Sequence, residues 1–289
     1  MLSLIVNPSA GGGRAGRALD SVCAELAAHG LDHHVETTNG LEHAAELARA
    51  AVVAGELAVA FGGDGLIGAV AGALAGTDGV LGVLPGGRGN DFARGLGIPL
   101  KPVAACAILS NGALSELDLG TAGERTFIGI ASCGFDSDVN RIANESRIIR
   151  GNLVYSYATV RALFSWRRAS FTVTLDGGEP RRFTGYSVAV ANTAYFGGGM
   201  RLAPQALVDD GLLEVVTITD LSRLRFLRLL PTVFSGSHVK QAVVGVARAS
   251  RVEIAADRPF TLYADGEAIA ELPVTVSVLP RAVKVMVPG

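Results

Sequence analysis

The chain has 289 residues, 49% hydrophobic and 18% charged, with 25 basic against 27 acidic side chains and a formal charge of −2. This excludes a disordered chain, and the length predicts one large or two ordinary domains whose core needs no metal or disulfide staple. Cys23, Cys106 and Cys133 are widely spaced without a CxxC pair; neither a disulfide framework nor a zinc site is encoded, and a reducing, cytoplasmic compartment is expected. No basic leader precedes Asn7-Pro8 and no apolar run reaches the ~18 residues of a spanning helix, which predicts a soluble chain without a transmembrane segment. Residues 1–118 hold 6 Lys/Arg and 12 Asp/Glu, so the front is acidic and the remainder mildly basic. An acidic front argues against a nucleic-acid partner, and a basic rear favours anionic lipid surfaces.

Along residues 1–109, short apolar runs alternate with helical patterns, the signature of βαβ units. Leu2 to Val6 predicts the first strand, and Ala15, Ala18, Leu19, Val22, Cys23 and Leu26 a helix stopped by Gly30. Strands follow at Leu31–Glu36, Leu57–Phe61 and Val80–Leu84, with helices over Leu41–Val53 and from about Leu66. After Leu117-Asp118-Leu119-Gly120 the runs become β-rich, beginning at Phe171, Tyr186, Leu213, Val252, Phe260 and Val274. Residues 137–168 and 222–242 read as helical insertions. The expected division is therefore an α/β unit over 1–118, joined by a returning run within 281–289, and a β-rich unit over 119–280.

Three glycine loops leave the carboxyl ends of apolar strands, where open parallel sheets bind ligands. The first, containing Gly11, Gly13 and Gly16, satisfies GxGxxG with Glu36 about 20 residues on, and alone reads as a dinucleotide site; Asn7-Pro8-Ser9-Ala10 makes its turn longer than that motif requires. The second, Phe61-Gly62-Gly63-Asp64-Gly65, opens a helix, so its backbone N–H groups suit phosphate. Asp64 there is a simple N-cap or, with phosphate present, a Mg²⁺ ligand. The third, Pro85-Gly86-Gly87-Arg88-Gly89-Asn90-Asp91-Phe92-Ala93-Arg94, adds Arg88 and Arg94 for phosphates and Asp91 for the same metal. GxxxxGK[ST] is absent.

These loops resemble, in order, three motifs of the diacylglycerol kinase catalytic domain family, which includes sphingosine kinases. The resemblance continues through Asp118-Leu-Gly, Ala131-Ser-Cys-Gly-Phe-Asp136, Gly197 to Pro204, Asp209-Asp-Gly-Leu-Leu213 and Asp265-Gly-Glu267. It implies a phosphofructokinase-like α/β amino-terminal domain, a carboxyl-terminal β-sandwich, and an active site between them. It places ATP on Asn7, Pro8, Ser9, Ala10, Gly11, Thr38 and Gly62, Gly63, Asp64, Gly65, Leu66, Ile67 and Gly68. A structural Mg²⁺ falls on Asp210 with the carbonyls of Leu207 and Leu212, and Glu267 matches the general base, with Asp64 the rival. Leu66 and Arg88 stand where the family commonly has Thr, removing two hydroxyls near phosphate.

The implied activity is transfer of the γ-phosphoryl of ATP to a lipid hydroxyl, diacylglycerol giving phosphatidic acid. Arg14 and Arg88 are electrostatic candidates. Asp265-Gly266 by itself also reads as a plain hairpin turn, and Asp118 equally as a charge partner near the metal or a strand-end residue. The arginine-rich apolar segments 161–168 and 223–230 have the composition of interfacial segments and equally of core helices with snorkelling arginines. A lipid substrate at the inner membrane face is the expected partner, and the oligomeric state stays open, a homodimer included. The competing readings are an NAD-dependent oxidoreductase and a catalytically inactive lipid-binding protein of the same fold.

Overall fold

A computed structural model describes residues 1–145 and 153–289. The chain opens with β1 (Leu2–Val6), α1 (Ala10–Ala28), β2 (His33–Thr37), α2 (Leu41–Val53), β3 (Leu57–Gly62), α3 (Asp64–Leu74), β4 (Val80–Pro85), α4 (Asp91–Gly95) and α5 (Pro102–Asn111). Strands β2, β1, β3 and β4 pair parallel in that order. Because helices cover such a sheet, β1 is buried along its whole length and β3 and β4 nearly so, which is why they read as unbroken apolar runs rather than alternating ones.

Then follow β5 (Ala113–Ala122), β6 (Arg125–Phe127), β7 (Ile130–Gly134), α6 (Phe135–Glu145), α7 (Leu153–Ser165), β8 (Ala169–Leu175), β9 (Arg181–Ala191), β10 (Leu213–Thr219) and α8 (Arg223–Ser235). The chain ends in β11 (Val244–Ala249), β12 (Arg251–Ala256), β13 (Thr261–Ala264), β14 (Glu267–Glu271) and β15 (Val274–Val287). Antiparallel pairing runs β14, β13, β7, β9, β8, β12, β15, with β10 and β11 branching from β9. In β8 the residues Ala169, Phe171 and Val173 are buried while their neighbours are half-buried, the period of two of a one-sided strand.

One hydrophobic cluster gathers residues from Leu2 to Leu119 with Ile128, Val283 and Val285; a second runs from Ala122 to Val276. The chain passes from one core to the other inside β5 itself rather than through a linker. Strand β15 returns, pairing antiparallel with β5 and, at Lys284 and Val285, parallel with β4. The two cores are thus stitched by two long strands.

Several elements differ from expectation. Strand β2 starts at His33 rather than Leu31, α3 begins two residues before Leu66, and β5, β7, β11 and α5 were not anticipated. The helical insertion expected over 137–168 is present as α6 and α7, with 146–152 outside the described residues, and that over 222–242 is α8 followed by one 3-10 turn. No helix among the described residues is long and apolar enough to cross a membrane.

Candidate active site

The amino-terminal glycine loop is built before its helix. Asn7 leaves β1, and its Oδ1 accepts the Ser9 N–H at 3.1 Å. Gly11, Gly12 and Gly13 then take φ of 63°, 73° and 83°, a left-handed run that side chains would strain, so regular helix starts only at Arg14. Arg14 Nε donates to Gly11 O at 3.1 Å and Nη2 to Gly87 O at 2.6 Å. It clasps the first loop to the third, a more structural part than the free phosphate contact expected of it.

The second and third loops lie against each other. Gly86 N donates to Gly62 O at 2.7 Å, while the buried Asn90, itself left-handed, accepts from Gly87 N at 2.8 Å and donates back to Gly87 O. Gly63 caps α3 in an extended conformation, leaving the amino end of that helix open to the cleft. The resulting cleft of about 390 Å³ is lined by Asn7, Ser9, Ala10, Gly11 and Gly12 from the first loop, Gly63, Gly65 and Leu66 from the second, and Gly87 and Arg88 from the third. Its far wall is Asp265 and Glu267.

Those two residues come from the second core. Asp265 and Gly266 have φ of 52° and 90° and join Ala264 to its pair partner Glu267, the two-residue hairpin that Asp-Gly favours. The plain turn reading was therefore right about the backbone, and the hairpin also faces the glycine loops. Asp265 is the residue whose importance the sequence hid. Its Oδ2 accepts Ile128 N at 2.9 Å and its Oδ1 accepts Gly129 N at 3.1 Å, locking the hairpin to the β6–β7 turn.

Three carboxylates approach this corner. Asp64 Oδ1 accepts Phe92 N at 3.0 Å, pinning the start of α4. Asp91 accepts Gly198 N and Gly199 N, both at 2.7 Å, and so brings the glycine-rich 197–199 loop to the third loop. Asp91 Oδ2 and Asp64 Oδ2 would lie 2.9 and 3.2 Å from a Cβ placed on Gly89. Enclosure, above all, pushes the Asp265 carboxyl up to about 7, with the negative charges of Asp64 and Asp91 adding to it against the two backbone donors. Burial likewise raises Asp91.

The Asp265 shift has a signed consequence. A group with a raised folded pKa binds its proton more tightly in the folded chain, so its contribution to stability is largest below about pH 4 and is lost as pH rises towards 7. Both oxygens accept a backbone N–H, so Asp265→Asn removes the charge but sets an amide NH2 against one of those donors. Without added divalent cation it should melt below wild type at pH 5, and that deficit should narrow by pH 8. A difference in melting temperature that stays constant between those pH values would remove the shift.

Other expected site residues lie elsewhere. Thr38 is buried, and its hydroxyl donates to Gly40 O at 2.6 Å, shaping the turn into α2 instead of lining the cleft; Leu41, the next helix residue, lines it. Ile67 is fully buried, and Gly68 passes 3.2 Å from Asp265 Oδ2 at the position of its absent Cβ. Leu66 lines the cleft with an apolar wall, and Arg88 is exposed at its mouth. Arg94 turns towards Tyr195, 5.8 Å from its ring, and away from the lining.

Asp210 is in a separate place, where Oδ1 accepts Leu212 N at 3.1 Å and Oδ2 pairs with Arg248. Neither oxygen of the buried Glu214 makes a well-formed hydrogen bond among the described residues; burial first, then Asp210, raises its carboxyl against Arg248 and the backbone N–H of Gln205. Asp118 is fully buried and accepts Gly211 N and Arg281 N, both at 2.7 Å. It clamps the 209–211 turn to β15, which favours a structural role. Buried Asn192, which no motif announced, donates to Asp118 O and Ile128 O. His238 Nε2 donates to Leu202 O at 2.9 Å, and His34 faces Glu36 and Glu56. No three His, Cys, Asp or Glu side chains among the described residues are grouped so as to hold a metal ion by themselves.

A parallel glycine-loop sheet joined to a β-sandwich, with a carboxylate hairpin of the second facing the loops of the first, is the architecture of a known class of lipid kinases. Residues 1–122 match the model of the diacylglycerol kinase catalytic domain and residues 129–287 that of the YegS C-terminal NAD kinase beta sandwich-like domain. A Mycobacterium tuberculosis protein named diacylglycerol kinase is 37% identical over 295 residues, covering 99% of this chain and 95% of that one. A Chromohalobacter salexigens protein named "Probable lipid kinase YegS-like" is 30% identical over 237 residues, 80% of this chain and 75% of that one. A solved Bacillus anthracis structure superposes with a TM-score of 0.84 at 24% identity, over 99% of this chain and 94% of that one, and shares the fold. The chain belongs to the diacylglycerol kinase catalytic domain family, with a carboxyl-terminal β-sandwich of the YegS type.

Proposed function

We propose that the chain transfers the γ-phosphoryl group of ATP to a lipid hydroxyl, with diacylglycerol as acceptor and phosphatidic acid as product. The observation that carries this reading is the single cleft shared by the three glycine loops and Glu267. In it, residues 1–118 with 281–289 form the nucleotide unit and 119–280 the lipid unit. Backbone N–H groups of Gly11 and Gly12 and the amino end of α3 receive phosphate oxygens, while the Gly13 N–H is taken by Ser9 O, and Arg88 adds charge at the mouth.

The lipid hydroxyl is a poor nucleophile while it keeps its proton. Glu267, exposed on the cleft wall, accepts that proton as the new O–P bond forms and the bond to the β-phosphate oxygen breaks, releasing ADP. Asp64 and Asp91 suit Mg²⁺ on the nucleotide: Asp64 Oδ2 makes no hydrogen bond among the described residues, and Mg²⁺ prefers one or two carboxylates completed by phosphate and water. Bound there, the ion would neutralise charge on the transferring phosphoryl. The family relationship favours this reading over nicotinamide chemistry, and the left-handed Gly11–Gly13 run differs from a tight dinucleotide turn.

The test is lipid-dependent ATP turnover with diacylglycerol, monoacylglycerol, sphingosine and ceramide as acceptors. Phosphatidic acid from the first is expected. Absence of phosphorylated product from every acceptor would leave the inactive lipid-binding reading.

The structural Mg²⁺ proposed on Asp210 and the carbonyls of Leu207 and Leu212 has one supporting observation, the buried Glu214 carboxylate beside Asp210, a second negative charge offset by Arg248 and the Gln205 backbone N–H. Occupancy would require Arg248 to yield its contact with Asp210. Asp210→Ala should lower the melting temperature by more than it changes nucleotide affinity. A melting temperature of the nucleotide-free protein that is indifferent to chelator would exclude the site.

A further inference from the structure

We propose that Leu41 is the platform on which the nucleotide base rests, and that the site grips the base by its face and leaves its edge unread, so that the phosphoryl donors are purine nucleoside triphosphates in general, GTP alongside ATP. The inference rests on the nucleotide reading of the cleft and names the donor class of that same site.

Strand order gives the cleft a direction. Along the carboxyl edge of the parallel sheet the order is β4, β3, β1, β2, and β15, the seam with the second core, lies beside β4. With neighbouring strands about 4.8 Å apart, β2 stands about 14 Å from β4. Glu267 faces the loops from the second core, so the reacting end of the donor lies towards β4 and β3, and the glycine loops after β4, β3 and β1 receive its phosphates. A nucleotide laid along that edge carries its base towards β2, and the turn after β2 supplies Leu41.

Leu41 is placed to meet a flat ring. Of residues 37–43 it alone lines the cleft, and it is 37% exposed there. Leu66, the other large apolar residue of the lining, is 3% exposed and fills the space over Gly62, where a Cβ would come within 2.5 Å of its Cδ2. Leu66 therefore has no face left to offer, whereas Leu41 keeps an apolar side chain open at the end of the cleft away from Glu267. Covering it with an aromatic heterocycle removes apolar surface from water on both partners.

The polar groups of the same turn are already spent. Thr38 N donates to Val6 O at 2.9 Å, Asn39 N to His43 Nδ1 at 3.3 Å and Gly40 N to Thr38 Oγ1 at 3.2 Å, while the Thr38 hydroxyl donates to Gly40 O at 2.6 Å. The nearest polar side chains of the lining, Asn7 and Ser9, belong to the loop after β1, one strand nearer the phosphates, and Asn7 Oδ1 holds the Ser9 N–H at 3.1 Å. Adenine and guanine differ at the ring edge, an amino donor in one and a carbonyl acceptor in the other. A site that pairs with that edge rejects the wrong base by ~10⁴-fold or more, and one that makes only apolar contact cannot.

The experiment is titration calorimetry of the full chain with the Mg²⁺ complexes of ATP, GTP and inorganic tripolyphosphate. Wild type should bind ATP and GTP within ~10-fold of each other, and tripolyphosphate more weakly than either. Leu41→Ala should weaken ATP and GTP alike by ~10-fold, the scale of an apolar side chain covered on one face, and leave tripolyphosphate affinity unchanged, which also reports that the glycine loops are folded. Leu41→Met conserves the volume and should restore both nucleotides. A preference for ATP over GTP of ~10²-fold or more, wild-type nucleotide affinity in Leu41→Ala, or an equal loss of tripolyphosphate in that variant would each overturn the proposal. Tripolyphosphate bound as tightly as ATP would overturn the base platform and leave the phosphate loops standing, whereas failure of all three to bind would overturn the nucleotide reading and the platform with it.

Discussion

Glu267→Gln is expected to cut lipid-dependent ATP turnover by ~10²-fold or more while leaving nucleotide affinity near wild type. Glutamine keeps the shape of the side chain and removes its capacity to take a proton. Glu267 is exposed as the first residue of β14, and its side chain makes no hydrogen bond or ion pair among the described residues, so the substitution should leave the fold and the glycine loops undisturbed. Asp64→Asn is the informative companion, because asparagine can still accept Phe92 N through Oδ1 and so preserves the pin on α4. That variant should weaken Mg-ATP binding measured by calorimetry, since the lost charge is the part that suits a metal. Near-normal turnover in Glu267→Gln, with Asp64→Asn inactive but binding nucleotide as wild type does, would transfer the base role to Asp64.

Gly87→Ala should be nearly as damaging, for a steric reason. A Cβ at Gly87 would lie 2.4 Å from Gly63 Cα and 2.9 Å from Asn90 Oδ1, and neither neighbour is the free end of a flexible side chain. The second and third loops must part, at a cost of about 1–3 kcal/mol by the usual scale of overpacking. The cleft they form should then bind Mg-ATP at least ~10-fold more weakly, a loss of about 1.4 kcal/mol. Gly40→Ala is the control, because Gly40 is extended and open on all sides, and it should match wild type. Unchanged nucleotide affinity in Gly87→Ala would mean that the close approach of the two loops does not matter for binding.

The sequence by itself determined what local chemistry can dictate. Apolar runs closed by turn residues, Asn7-Pro8, Gly62-Gly63 and Pro85-Gly86, locate β1, β3 and β4, because a strand buried on both faces leaves no other pattern, and the loops after them carry the site because helix amino ends and glycine backbone attract phosphate wherever they occur. The two-residue Asp265-Gly266 turn was legible for the same local reason. Tertiary structure alone decided the rest. Arg14 is a clasp and not a free charge because Gly87 O, 73 positions away, sits 2.6 Å from its guanidinium. Asp265 becomes a perturbed acid only because Ile128, Gly129, Asp64 and Asp91 surround it, from elements scattered over the chain. Thr38 leaves the cleft because its hydroxyl finds Gly40 first. Spacing along the chain encodes a residue's own turn, whereas desolvation and charge coupling depend on distances in space, which here are set by the packing of one core against the other.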